Sequence, residues 1–152
     1  MNEDIAKLAR TLNCLFWVLT VLAVAFLGLG YLLHRMTITI QAPFGGLRGW
    51  GIILLVLSVL LGVALPVLIR TLFNKRAVDA KHVELADFVS HQKRLVVVSI
   101  SAAYAAGIAY LFLVPNLYLY GSVLAGLYGI YSAIPSERKL NGELRFYGLG
   151  GK

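Results

Sequence analysis

An uncharged run of 42 residues, 95–136, reads LVVVSISAAYAAGIAYLFLVPNLYLYGSVLAGLYGIYSAIPS. A helix rises about 1.5 Å per residue and the hydrocarbon core of a bilayer is about 30 Å thick, so about 20 residues cross it once. The run is twice that length, and the pair Pro115-Asn116, which is typical of turns, lies near its middle. The run therefore predicts two membrane helices, 95–114 and 117–134, that fold back on each other.

Two shorter uncharged runs precede this one, with histidine counted as neutral. Residues 11–34 form a run of 24 and residues 49–69 a run of 21. Each run is long enough for one membrane-spanning helix, and we predict these helices at 12–33 and 50–69. The sequence thus predicts an all-α integral membrane protein of a single domain, 1–152, in which four transmembrane helices form two hairpins.

The composition agrees with lipid as the surroundings of most side chains. Of the 152 residues, 59% are hydrophobic and 14% are charged, whereas soluble domains average about 25% charged. The mean hydropathy is +0.80. A soluble domain of this length cannot bury so much apolar surface. These values exclude a disordered chain and argue against an ordinary cytosolic enzyme.

The basic residues indicate how the helices are oriented. The chain carries 14 Lys and Arg and a net charge of +7, which in a soluble protein would suggest nucleic acid as a partner. Here the basic residues flank apolar runs, where they set topology and contact lipid headgroups, and we expect no nucleic acid partner. The two termini and residues 70–94 hold 12 of them, against two in residues 35–49.

Because Lys and Arg concentrate on the cytoplasmic side of a membrane, this count places both termini there. Residues 70–94 are then a basic cytoplasmic loop, partly helical, and residues 135–152 a cytoplasmic tail. In the loop, the residues expected to contact lipid headgroups or a partner are Arg70, Lys75, Arg76, Lys93 and Arg94.

Small residues recur every four positions on both helices of the 95–134 hairpin. The positions predicted to form a helix-packing or partner interface are Ser99, Ala103, Gly107, Gly121, Ser122, Ala125, Gly126 and Gly129. Small residues let two helix backbones approach closely, which in lipid is a main source of attraction between helices. On the second helix they form two adjacent faces. One face consists of Gly121, Ala125 and Gly129, and the other of Ser122 and Gly126. Two interpretations stay open: the small residues form a tight antiparallel hairpin, or one face packs on the first helix and the other meets a neighbouring chain.

No residue in the middle of a predicted span is ionisable. Proton and cation transporters usually need such a residue at depth. The single cysteine, Cys14, cannot form an intrachain disulfide or a multi-cysteine metal site. We therefore predict no catalytic residue, no metal site and no cofactor. Two interpretations stay open for the deeper tyrosines, Tyr104 and Tyr128: hydrogen bonding between helices, or orientation of a quinone or lipid headgroup.

Two small-residue-rich hairpins joined by a basic loop resemble the duplicated subunit c of rotary ATPases. The stretch from Phe88 to Lys139 resembles small uncharacterised four-helix bacterial inner-membrane proteins. These resemblances imply an architecture and a multi-pass location in the bacterial inner membrane. Subunit c carries an ion-binding carboxylate inside a helix and this chain has none, so rotary function is not implied.

The function expected from these features is that of a non-catalytic accessory or scaffold subunit of a larger membrane complex. Its partners would be other membrane protein subunits and lipids. The alternative is a homo-oligomeric transport or lipid-handling membrane protein, with any pathway between copies because four short helices leave little room for one inside. A membrane enzyme would need a nucleophile or a metal cluster near an interface, and the sequence displays neither.

Overall fold

The computed structural model describes residues 2–36, 46–80, 85–136, 140, 142 and 143 of the chain. Their helical elements are α1 (Asn2–Arg35), α2 (Gly46–Val59), a π-helical segment (Leu60–Ala64), α3 (Leu65–Ala80), α4 (Leu85–Leu111) and α5 (Asn116–Ala133). No strand occurs among the described residues, so the predicted all-α class is confirmed for them.

Three helical stretches are long and apolar enough to cross a membrane, namely Lys7–Arg35, Arg48–Ala77 and Ala86–Leu111. They contain the first two predicted spans and most of the third. α5 is not one of the three: its 18 residues include four tyrosines and three glycines, which lower its hydropathy. Their length and composition indicate a membrane protein, whereas the fourth span at 117–134 stays a prediction.

The chain reverses between α4 and α5 at the Pro115-Asn116 pair. α4 ends at Leu111 and α5 begins at Asn116. In the turn, Leu113 has a positive φ of 50°. The N–H of Tyr118 donates a hydrogen bond of 2.9 Å to the carbonyl oxygen of Pro115 at the start of α5. Proline has no backbone N–H, so at this position it adds no unpaired donor of its own to the start of α5.

The helix over residues 46–80 continues through a proline. Pro66 cannot donate a hydrogen bond to the carbonyl oxygen of Gly62, and the sequence predicts a kink near this point. In the structure the π-helical segment ends two residues before Pro66, and the N–H of Leu65 donates to the carbonyl oxygen of Leu60, five residues back. This wider turn is the local distortion that accommodates the proline while the helix goes on.

α4 is the central helix of the bundle. It packs against α5, α1, α2, α3 and the π-helical segment. In its most apolar window 56% of the residues are buried, against 17% in α1. Four α4 residues, Phe88, Ile100, Ala102 and Ala109, have no exposed surface. α1 packs mainly on α4, and the other elements surround the rest of it.

Two clusters of buried side chains mark the two ends of the bundle. We call one of these ends the basic end. The cluster there, the basic-end cluster, consists of Leu8, Ala9, Leu12, Phe88 and Leu140, and Phe73 packs against it. At the other end Leu54, Ala109 and Val114 form a second cluster beside Trp50. The first part of α1, the last part of α3, the first part of α4 and Leu140 therefore meet at the basic end.

Candidate functional site at the basic end

Gly126 and Gly129, one residue from each predicted small face of α5, both pack directly on α4. A Cβ placed on Gly126 would lie 3.1 Å from the Cα of Ala103. A Cβ on Gly129 would meet the carbonyl oxygen of Ser99 even more closely. Because both contacts are with α4 backbone, the two helices approach as closely as the small residues allow.

Gly121 and Ala125 of α5 pack on α2 and the π-helical segment. A Cβ on Gly62 would lie 2.6 Å from the carbonyl oxygen of Ala125. Gly121 lies against the side chain of Leu55 on α2. Ser122, the next residue, has no exposed surface. Helices of this chain therefore contact small residues on both faces of α5, and the contact of one face with a neighbouring chain stays a prediction.

The remaining member of the predicted interface, Gly107 on α4, faces a third neighbour. A Cβ there would lie 2.7 Å from Cδ1 of Phe26 on α1. The small residues of α4 thus pack against α1 as well as against α5. The sequence pattern identifies small faces, but it does not indicate how many helices of the same chain share them.

The five basic residues expected to contact headgroups or a partner all have exposed side chains at or near the basic end. Arg70, Lys75 and Arg76 belong to α3, and Lys93 and Arg94 belong to α4. Arg70 differs from the other four because its side chain also lines a pocket between the helices.

This pocket, which we call the basic-end pocket, has a volume of about 260 Å³ and lies between the π-helical segment, α3, α4 and α5. Its apolar wall includes Val63, Pro66, Leu95, Val96 and Ala133. Its polar mouth includes Arg70, Thr71, Asn74, Gln92 and Glu143. Gly62 at the depth and Arg70 at the mouth are eight residues apart, which corresponds to about 12 Å along the helix.

The basic-end pocket also opens to the side of the bundle. Three residues that line it, Val67, Tyr128 and Ile134, have 57%, 50% and 46% of their surface exposed. Val67 belongs to α3, whereas Tyr128 belongs to α5 and Ile134 follows it. Part of the pocket lining is therefore exposed at the side of the bundle, at these two helices.

A carboxylate from the C-terminal part of the chain lies in the mouth of the pocket. Oε1 of Glu143 is 3.7 Å from a guanidinium nitrogen of Arg70. The other oxygen, Oε2, accepts a short hydrogen bond from the side-chain amide of Gln92. Leu140 holds this part of the chain in place, because its side chain is buried in the basic-end cluster and its N–H donates to the carbonyl oxygen of Ser136 at 2.9 Å.

The structure separates the two tyrosines whose role the sequence left open. The hydroxyl of Tyr104 donates a hydrogen bond of 2.9 Å to the carbonyl oxygen of Leu19 on α1, which is the predicted hydrogen bonding between helices. Tyr128 instead lines the basic-end pocket. Tyr128 is therefore the tyrosine placed to contact a molecule bound there.

A stacked pair of rings lies beside the pocket at the basic end. The rings of Phe73 on α3 and His91 on α4 are 3.9 Å apart at 15°, and His91 is buried. Within the described residues no group of three or more His, Cys, Asp or Glu is arranged to hold a metal ion. The polar groups of the pocket suit hydrogen bonding and charge recognition of a ligand.

Comparisons of the chain with protein-family models, with curated proteins and with solved structures gave no match in any of the three. The resemblances to subunit c and to four-helix inner-membrane proteins therefore stay expectations from the sequence.

Proposed function

We propose that this protein is a non-catalytic, lipid-handling membrane protein that binds one amphiphilic molecule in the basic-end pocket. The observation that carries the proposal is the pocket itself, with an apolar wall, a polar mouth and a lateral opening between α3 and α5. An amphiphile has the same arrangement of apolar and polar parts, since its acyl chain is apolar and its headgroup is polar. The exposed cations around the mouth suit the level of lipid headgroups.

The size of the pocket favours a single chain over a whole bilayer lipid. Its 260 Å³ exceed the roughly 150 Å³ of an engineered cavity that binds benzene, and fall just below the roughly 300–1,000 Å³ of pockets for drug-sized ligands. A fatty acid or a lysophospholipid therefore fits better than a two-chain phospholipid.

The topology proposed with this function has four spans, with both termini and the basic loop in the cytoplasm, in a bacterial inner membrane. The positive-inside count and the gathering of both terminal segments at the basic end support it. A cytoplasmic reporter fused after Lys152 is expected to be active, and an alkaline-phosphatase fusion at the same residue inactive. The reverse pattern would overturn the topology.

Narrowing the pocket tests the function. Val67 lines the pocket and Leu68, its neighbour, does not, although the two are similarly exposed at 57% and 51%. In phosphatidylcholine vesicles, a lysophospholipid with a photoreactive acyl chain is expected to label the pocket wall. Val67→Trp is expected to reduce this labelling several-fold because the indole fills the entrance, and Leu68→Trp to leave it unchanged. Equal labelling of both variants would contradict the proposal.

The accessory-subunit role is the second candidate function. It is favoured by the outer surface of α1, where only 17% of the most apolar window is buried and where a second protein would find a large apolar contact area. Extraction in mild detergents followed by mass analysis separates the two roles. A larger complex with other proteins supports the accessory role, whereas a 16.6 kDa monomer in every mild detergent counts against it.

A further inference from the structure

The mouth of the basic-end pocket already holds a carboxylate, and this carboxylate belongs to the protein. Glu143 is held by two groups from different helices: the guanidinium of Arg70 on α3 and the side-chain amide of Gln92 on α4. The two contacts engage different oxygens of the same carboxylate. The mouth therefore contains a cation and an amide N–H that converge on one anionic group.

This pair of donors matches the oxygens of an anionic headgroup. A guanidinium presents several N–H donors that suit carboxylate and phosphate oxygens, and hydrogen bonds to a charged acceptor are stronger than neutral ones. The other exposed cations at this end, Lys75, Arg76, Lys93 and Arg94, add positive potential that attracts anions to the mouth. A zwitterionic headgroup would bring its own cation close to Arg70.

The contact of Glu143 with Arg70 is one that an incoming anion can replace. The side chains of Arg70 and Glu143 are 47% and 25% exposed, and their nearest charged atoms are 3.7 Å apart. Exposed ion pairs of this kind are weak because water and salt screen them. The backbone of the segment stays anchored through Leu140 in the basic-end cluster, so the carboxylate stays near the mouth.

We infer that the ligand of the basic-end pocket is a single-chain amphiphile with a carboxylate or phosphate headgroup, and that Glu143 occupies the headgroup position when the pocket is empty. This inference rests on the proposed function and adds the charge of the ligand and an autoinhibitory contact to it. The ligand headgroup displaces Glu143 from Arg70 and Gln92, while its acyl chain enters beside Val67.

Photolabelling of the full chain in phosphatidylcholine vesicles tests this inference. The probes are lysophosphatidate and lysophosphatidylcholine with the same photoreactive acyl chain, and adducts are mapped by mass spectrometry. Glu143→Gln removes the competing charge and is expected to raise pocket labelling by lysophosphatidate roughly two- to five-fold, the factor to which an exposed ion pair corresponds. Labelling by lysophosphatidylcholine is expected to stay unchanged.

Two further variants show whether the effect belongs to the mouth. Arg70→Gln is expected to abolish the preference for lysophosphatidate. Asp87→Asn is the matched control, because Asp87 is an exposed carboxylate in the first turn of α4 that does not line the pocket. This variant changes the surface charge equally and is expected to leave labelling as in the original chain. An equal gain from Asp87→Asn and Glu143→Gln would overturn the inference, because surface charge alone would then explain it.

The remaining outcomes distinguish failure of this inference from failure of the proposed lipid-handling function. Pocket labelling that is equal for both probes and insensitive to Glu143→Gln overturns the anionic headgroup and leaves the lipid-handling function standing. Absence of pocket labelling by either probe overturns both. Millimolar inorganic phosphate is added as a competitor. If it suppresses labelling as strongly as unlabelled lysophosphatidate does, free phosphate is the ligand and a lipid ligand is ruled out. If labelling persists, the result supports a lipid ligand.

Discussion

Replacing Gly129 with Leu is expected to separate α5 from α4 and to lower the resistance of the protein to unfolding. A Cβ at this position would overlap the carbonyl oxygen of Ser99, and a backbone atom cannot rotate out of the way as a side chain can. The extra leucine atoms must then push the two helices apart. Overpacking typically costs about 1–3 kcal/mol, and a clash with backbone belongs at the upper end of that range.

Unfolding in mixed detergent micelles with increasing sodium dodecyl sulfate, followed by tryptophan fluorescence, measures this loss. Gly28→Leu is the matched control, because Gly28 is an exposed residue within α1 and nothing lies within 4 Å of a Cβ placed there. The control is expected to unfold at the same midpoint as the original chain. Equal midpoints for Gly129→Leu and Gly28→Leu would show that α5 does not pack on α4 through this face.

The runs without charges predict where the chain becomes apolar better than where its helices end. The helices continue beyond the predicted spans, since α3 reaches Ala80 and α4 begins at Leu85. Residues 70–80 contain neither glycine nor proline, so no residue type there breaks a helix when the surroundings become polar. Hydropathy describes the solvent around a helix, whereas helix ends depend on local breakers and caps.

The basic-end pocket could not be predicted from the sequence because its polar residues come from distant positions. Gln92 and Glu143 are separated by 51 residues, and Arg70 belongs to a third part of the chain. None of them forms a recognisable motif with its sequence neighbours. The basic loop indicated which end carries charge, and Arg70 was one of five equivalent candidates there. Only the packing of α3 against α4 and the position of Leu140 bring the three residues together.

The two small-residue faces of α5 also show that a sequence pattern does not indicate which helix a face packs against. Gly126 and Gly129 contact α4, although the four-residue spacing assigns them to different faces. The partner of Gly121 and Ala125 depends on where α2 lies, and the pattern on α5 contains no information about that position. In the structure α2 and the π-helical segment cover Gly121 and Ala125.

Replacing Phe88 with Ala is expected to cost the basic end most of its stability. Phe88 has no exposed surface and packs with Leu8, Leu12 and Leu140. It comes before Lys93 and Arg94 on α4, outside the predicted span 95–114, so we expect water and not lipid as its alternative surroundings. The change therefore loses both burial from water and packing contacts, and Phe→Ala in a core typically costs about 3–5 kcal/mol.

The measurement for Phe88→Ala is thermal unfolding in mild detergent, with hydrogen exchange to locate the change. Tyr131→Ala is the control, because it removes an aromatic ring that is 75% exposed, and surface changes of this kind usually stay within about 0.5 kcal/mol. Since Leu140 packs in the same cluster three residues before Glu143, the cavity left by Phe88 is expected to loosen the Glu143 contact with Arg70 as well. Exchange should then rise first in α3 and α4 at the basic end, while the cluster around Leu54 stays protected. A midpoint equal to that of Tyr131→Ala would show that the basic-end cluster contributes little to the fold.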